Sequence, residues 1–214
     1  MEKIKIVGIC GSPHPDGNTA KLIKMVLKGA ESAGAETEFI SLANKKIYFC
    51  YACYKCISKG QCILNDDLNK IRDTMIRCDG LVIGSPTYDR EITGQMKTFF
   101  DRLWFDIHRE TFLGKYAVYV NTHNLTVGHS AGTLRNLSVA LGYNVIGSVK
   151  SSNLAKFDGR IDGDLNSQRK AFKMGIKLVK NIKQQKKYIL QELIRMVFIR
   201  PIFKKVEEIL SKMQ

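Results

Sequence analysis

Long apolar runs are absent from this sequence. No stretch of about 18 consecutive apolar residues occurs, so no membrane-spanning helix is expected. Met1-Glu2-Lys3 leads directly into a strand-like stretch, with no apolar segment and small-residue cleavage site of a secretory signal, so the expected location is the cytoplasm. Evenly spread cysteines are also missing. Four of the six (Cys50, Cys53, Cys56 and Cys62) lie within 13 residues, while Cys10 and Cys78 stand alone. A secreted disulfide framework would distribute them through a smaller domain, so the cluster reads as metal ligation. Acidic residues are few, 20 against 34 Lys and Arg, for a net charge of +14. The imbalance is local: residues 165–214 hold 13 Lys and Arg against 3 Glu, a balance of +10. A solvated helical face explains this most simply, and an acidic partner or an anionic membrane surface is the sharper reading. No nucleic-acid-binding motif is found, so no nucleic-acid partner is expected. Internal repeats and low-complexity linkers are lacking too.

What is present is enough apolar material, 44%, for an ordinary core, and a length of 214 residues that suits one α/β domain with a small appendage. Strand-like runs at Ile4–Ile9, Glu36–Leu42, Leu81–Ile83, Tyr116–Val120 and Asn144–Val149 alternate with helical patterns. The helices run from Asn18 to Gly34, from Asp66 or Asp67 through Met75, over Gln95–Trp104, over Ser130–Leu141 and over Leu165–Ile182. Five such units predict an α/β fold, a doubly wound five-stranded parallel sheet over residues 1–187, with a cysteine-bearing loop at 44–65. Residues 188–214 form a basic amphipathic helical extension. Ile189, Leu193 and Val197, with Leu190 and Ile194 beside them, are expected to pack on the domain, and subunit contact or a membrane surface are the other readings. Pro201 suits the first turn of a new helix, whose stripe would be Ile202, Val206, Ile209, Leu210 and Met213.

Ligands of doubly wound sheets bind beyond the carboxyl ends of the strands, so the loops after strands one, three and four matter most. After strand one the chain reads Gly11-Ser12-Pro13-His14-Pro15-Asp16-Gly17-Asn18-Thr19. A phosphate monoester needs several donors converging from one side. A helix N-terminus supplies them, Ser12, Asn18 and Thr19 add side-chain donors, and Gly11 and Gly17 allow close approach. His14 adds a charge, although a loop histidine is more often solvated. The loop is neither G-x-G-x-x-G nor a P-loop, which favours one terminal phosphate over a dinucleotide or triphosphate. The plainer alternative is a helix cap with turn glycines. After strand three, Gly84-Ser85-Pro86 stops the strand. Pro86, Thr87 and Tyr88 offer a stiff turn and an aromatic face for a flat ring, and Thr93 can cap the next helix.

Gly-Ser-Pro…Gly-Asn-Thr after strand one, Ser-Pro-Thr-Tyr…Thr-Gly-Gln-Met-Lys after strand three, and Phe99-Phe100-Asp101-Arg102 together resemble the NADPH-dependent FMN reductase branch of flavodoxin-like proteins. The resemblance implies an FMN phosphate at Ser12, His14, Gly17, Asn18 and Thr19, and an isoalloxazine ring against Pro86, Thr87 and Tyr88. One segment departs from the pattern. Where relatives carry a glycine-rich turn after strand four, this chain has Asn121-Thr122-His123-Asn124-Leu125-Thr126-Val127-Gly128-His129. His123 or His129 could donate a proton near the ring, although ordinary loop histidines are commoner.

The spacing C-x2-C-x2-C-x5-C suits a cuboidal iron–sulfur cluster better than zinc, which favours paired C-x2-C units further apart, and both better than a plain thiol loop. The motif and the Asp66-Asp67-Leu68 that follows resemble the iron–sulfur flavoproteins of the same family. That resemblance implies a [4Fe–4S] cluster on Cys50, Cys53, Cys56 and Cys62, electron exchange with FMN, and a homodimer or homotetramer. The redox partner would be NAD(P)H or a ferredoxin-type protein, and acidic ferredoxins would suit the basic surface. The expected activity is that of an oxidoreductase, with no catalytic side chain singled out. The alternatives are an FMN-dependent NAD(P)H:flavin or quinone reductase without a cluster, and a non-catalytic flavin-binding module. Cys10 and Cys78 read as small buried hydrophobes.

Overall fold

The computed structural model describes residues 3–123, 128–152, 160–201, 204, 205 and 208. Its strands are β1 (Lys5–Cys10), β2 (Glu36–Ser41), β3 (Gly80–Tyr88), β4 (Glu91–Ile92), β5 (Tyr116–His123) and β6 (Asn144–Ser152). Its helices are α1 (Asn18–Ser32), α2 (Lys55–Lys59), α3 (Leu68–Arg77), α4 (Gly94–Arg102), α5 (Trp104–Arg109), α6 (Ser130–Ala140), α7 (Leu165–Lys183) and α8 (Ile189–Ile194). Five strands pair in parallel in the order β2-β1-β3-β5-β6, which is the doubly wound arrangement expected. A sixth strand is new. Instead of stopping at Gly84-Ser85-Pro86, β3 continues to Tyr88 and turns back through Asp89 and Arg90 into β4, an antiparallel pair. Pro86 is tolerated inside β3 because β1 pairs only as far as Gly84, so no β1 acceptor waits for a Pro86 N–H.

Alternation along β1 shows how the strands divide the core. Ile6 and Cys10 face α1 and α7, while Val7 and Ile9 face the side covered by α3, α4 and α6. All are fully buried, as near-continuous apolar parallel strands require. The thiols of Cys10 and Cys78 are both pushed up to about 11 by burial, so these two behave as the inert apolar residues expected. Helices α1 and α7 cross at Gly29 and Gly175. A Cβ on Gly175 would lie 1.9 Å from the Val26 carbonyl oxygen, and one on Gly29 2.0 Å from that of Phe172, so only glycine permits this contact.

The expected helix over Gln95–Trp104 is broken at Leu103 into α4 and α5. Asp67 precedes α3, but the cap bond comes from Asp66, whose Oδ1 accepts the Leu68 N–H at 3.0 Å. The C-terminal extension departs most from expectation. Gln191 and Arg195 are buried, at 8% and 2% exposure, whereas Ile189, Leu190, Leu193 and Val197 are 66%, 71%, 48% and 59% exposed. The reason is the edge strand β6. Gln191 accepts the Val145 N–H at 2.9 Å and donates to the Val145 carbonyl at 2.8 Å, filling backbone positions that a neighbouring strand would otherwise pair. A π-type turn over Arg195–Ile199 leads into Arg200 and Pro201, which continue the helical path rather than restarting it. Ile202, Val206, Ile209, Leu210 and Met213 lie outside the described residues.

Candidate functional site

The turn after β1 folds on itself before α1 begins. Ser12 is buried and its Oγ accepts the His14 N–H at 3.1 Å, while the Gly17 N–H donates to the His14 carbonyl at 3.0 Å. Gly17 is the N-cap of α1 in extended conformation, with no side-chain cap bond and no acid in the first turn. The first N–H groups of α1 therefore lack helical acceptors at the positive end of the helix dipole. Thr19 is buried at this point, its Oγ1 2.7 Å from that of Thr122 on β5. The Asn18 Oδ1 accepts the Ile161 N–H at 3.0 Å, so this side chain also ties down the segment before α7. The close approach expected of Gly11 is to protein: a Cβ there would meet Met96 of α4 at 2.6 Å.

The end of β3 is fixed from several sides. Asn121 donates from Nδ2 to the Ser85 carbonyl at 3.0 Å and to the Ser130 Oγ at 3.0 Å, and the Thr87 and Ser130 hydroxyls lie 2.6 Å apart. Thr93 caps α4 as expected, accepting the Met96 N–H at 3.3 Å, and its hydroxyl donates to the Gly11 carbonyl at 2.5 Å. The two loops are thus locked together. Between them lies a cavity of about 270 Å³ lined by Ser12, His14, Gly17, Asn18, Thr19, Pro86, Thr87 and Tyr88, together with Thr122 and His123. The eight residues expected from the sequence meet in this one cavity, beyond the carboxyl ends of β1, β3 and β5. Thr122 and His123 are additions; the signal for them was the polar Asn-Thr-His that closes an apolar strand. The Nδ1 of His123 is buried without a hydrogen-bond partner among the described residues. His129 is exposed, is the N-cap of α6 and does not line this cavity. Asn124–Val127 lie outside the described residues.

The cysteines come together separately. A cavity of about 280 Å³ is lined by Cys50, Cys53, Cys56 and Cys62 together with Arg102 and Trp104. Ala52 and Tyr54 both adopt left-handed conformations, with φ of 53° and 54°, which reverses the chain on either side of Cys53. Tyr54 packs edge-on against Trp104, with ring centroids 5.8 Å apart. Cys62 is held by its carbonyl, which accepts from Asn69 at 2.8 Å, and by its Sγ, which lies 3.1 Å from the Arg102 Nε. The rest of the buried Arg102 guanidinium serves Asp66, at 2.8 and 3.2 Å, and the Tyr48 carbonyl at 2.7 Å. A backbone N–H from Lys55 holds the Cys53 thiol below its ordinary value, whereas burial and the neighbouring thiols raise that of Cys56.

Among the described residues no three His, Cys, Asp or Glu side chains converge on a single ion position. A Zn–S bond of about 2.3 Å would draw tetrahedral thiolates to within about 4 Å of one another. The four cysteines line one open cavity and so lie within reach of a common group.

The family described as NADPH-dependent FMN reductase matches residues 4–155. An iron–sulfur flavoprotein of Archaeoglobus fulgidus is 40% identical over 113 residues, covering 53% of this chain and 51% of that protein. The chain thus spans about half the length of this curated relative. Among solved structures, a flavone reductase superposes with a TM-score of 0.69 at 20% identity, over 84% of this chain and 63% of that one. A flavodoxin from the domain Archaea superposes at 0.54 and 15% identity, over 84% and 99%, so the fold is flavodoxin-like. With most of the α/β domain inside the family match, this chain belongs to the NADPH-dependent FMN reductase family of flavin-dependent oxidoreductases.

Proposed function

We propose that this chain binds FMN in the cavity between the two loops and a [4Fe–4S] cluster in the cysteine cavity, and passes electrons between them. The observation that carries the reading is the meeting of Ser12–Thr19 and Pro86–Tyr88, far apart in sequence, in one cavity at the uncapped start of α1. Ser12, Thr19 and the first N–H groups of α1 would hold the phosphate. Pro86, Thr87 and Tyr88 would line the ring, held in place by the Asn121 and Ser130 bonds. His123 would lie against the ring at the cavity wall. Bound FMN supplies both one- and two-electron chemistry, while the protein contributes placement, tuning and exclusion of water.

The two cavities are mechanically connected. Helix α4 starts at the Thr93 cap, bonded to Gly11, and ends at Arg102, bonded to Cys62. Its nine residues make the span about 13 Å. Cys50, Cys53, Cys56 and Cys62 would ligate the cluster, with NAD(P)H or an acidic ferredoxin as the redox partner and a homodimer or homotetramer as the assembly. A second reading, an NAD(P)H-dependent reductase without a cluster, is supported by the family match, described as NADPH-dependent FMN reductase.

Anaerobic purification with measurement of flavin, iron and sulfide per chain tests both readings. The account expects stoichiometric FMN, iron and sulfide. FMN without iron, with steady NAD(P)H oxidation by a quinone, supports the second reading. Absence of flavin after incubation with FMN removes both.

A further inference from the structure

Helix α8 and the π-type turn after it face their apolar side away from the protein. Ile189, Leu190, Leu193, Met196 and Val197 are all about half exposed or more, while the polar Gln191 and Arg195 are turned inward onto β6. Edge-strand pairing explains the inward side; nothing in the described part of the chain covers the outward one. Exposed lysines bound this face at both ends in sequence, with Lys186 and Lys187 before it and Lys204 and Lys205 after it, whereas Arg200 is paired with Glu110 and Lys183 donates to the Ala33 carbonyl. Beside α8 lies a cavity of about 450 Å³ whose charged lining is Lys115, Lys186, Lys187 and Arg195 against Asp79 and Glu192. Lys115 is engaged by the carbonyls of Met75, Ile76 and Cys78. Lys186 and Lys187 are exposed to solvent.

We propose that α8 and this basic cavity form a docking face for an anionic lipid surface, the apolar residues entering the acyl boundary and the lysines meeting headgroup phosphates. Apolar side chains flanked by lysines are the composition of helices that lie in a membrane interface. A second copy of the chain fits this face less well. A two-fold contact would set Lys186, Lys187, Lys204 and Lys205 against their own copies, whereas an anionic surface complements them. The placement also leaves the flavin cavity open. Gln191 of α8 and Arg195 just after it bind at the start of β6, at Val145, Asn144 and the preceding Tyr143, while the flavin cavity lies beyond the opposite, carboxyl ends of the strands.

The test is co-sedimentation of the full-length protein with vesicles of phosphatidylcholine alone, or of phosphatidylcholine with an equal part of phosphatidylglycerol, at low and high salt. The proposal expects binding to the anionic vesicles only, weakened by salt. Lys186→Gln with Lys187→Gln should weaken it about 30-fold, since each lysine near a charged bilayer contributes about 1 kcal/mol. Leu190→Glu with Val197→Glu should abolish it while FMN binding is unchanged, because both positions are exposed. Failure to bind anionic vesicles at low salt overturns the proposal, as does binding that survives the Glu pair. An assembly that dissociates in the Glu pair, with no vesicle binding by the native protein, gives the face to a second copy and also overturns it.

Discussion

Arg102 and Asp66 are two charged side chains with no solvent contact, each dependent on the other. Burial pushes the Asp66 carboxyl up, but Arg102 and the N–H groups of Tyr48 and Leu68 outweigh it and hold it below its usual range. Removing one partner strands the other, so Arg102→Ala should cost about 3–5 kcal/mol in urea denaturation. The pH dependence follows from the sign of the shift. With the folded value below the unfolded one, the contribution is complete above about pH 3.9 and is lost as pH falls through the folded value. Asp66→Asn should therefore flatten the acid limb of the stability curve, seen as a smaller drop in Tm on acidification. At the flavin cavity, Ser12→Ala should weaken FMN binding about tenfold, measured by quenching of flavin fluorescence, because a hydrogen bond to a charged group is worth about 1.5 kcal/mol or more. The cavity's loop residues were legible because each carries its chemistry in local sequence: a turn, a helix start, a proline beside an aromatic. The role of Arg102 was not legible. It lies in a quoted motif, but its partners stand 36, 40 and 54 positions away, and only the fold brings them to it.

Among the elements, those with an internal apolar rhythm were readable, and those shaped by a neighbour were not. The five parallel strands and α1, α3, α6 and α7 follow from periodicity. The extension of β3 into a hairpin with β4 depends on β1 ending first, which no single segment encodes. Helix α8 was read with the wrong side inward because amphipathicity ranks apolar burial first, whereas a bare strand edge needs hydrogen bonds. Gln191→Ala would leave the Val145 N–H and carbonyl without partners and should cost about 1–3 kcal/mol of stability. At the α1–α7 crossing, Gly175→Ala forces the helices apart and should cost about 1–3 kcal/mol or more, measured as a lower urea midpoint at unchanged m-value.

For the whole molecule, α4 runs from the Thr93 cap, bonded to Gly11 of the first loop, to Arg102 at the cysteine cavity, and the opposite end of the sheet carries the exposed, basic face of α8. No helix among the described residues is long and apolar enough to cross a membrane, as the sequence suggested. The doubly wound fold was legible from strand–helix alternation, and the charge asymmetry was legible from composition. What the asymmetry serves was not, because it depends on which face α8 presents. The central claim is that the cavity between Ser12–Thr19 and Pro86–Tyr88 is built for a flavin carrying one terminal phosphate. Titration of the flavin-free protein with FMN and with riboflavin, read by fluorescence quenching, tests this most directly. The account predicts one FMN bound per chain and much weaker binding of riboflavin, which lacks the group facing the start of α1. Equal affinity for the two, or no quenching by FMN, would contradict it.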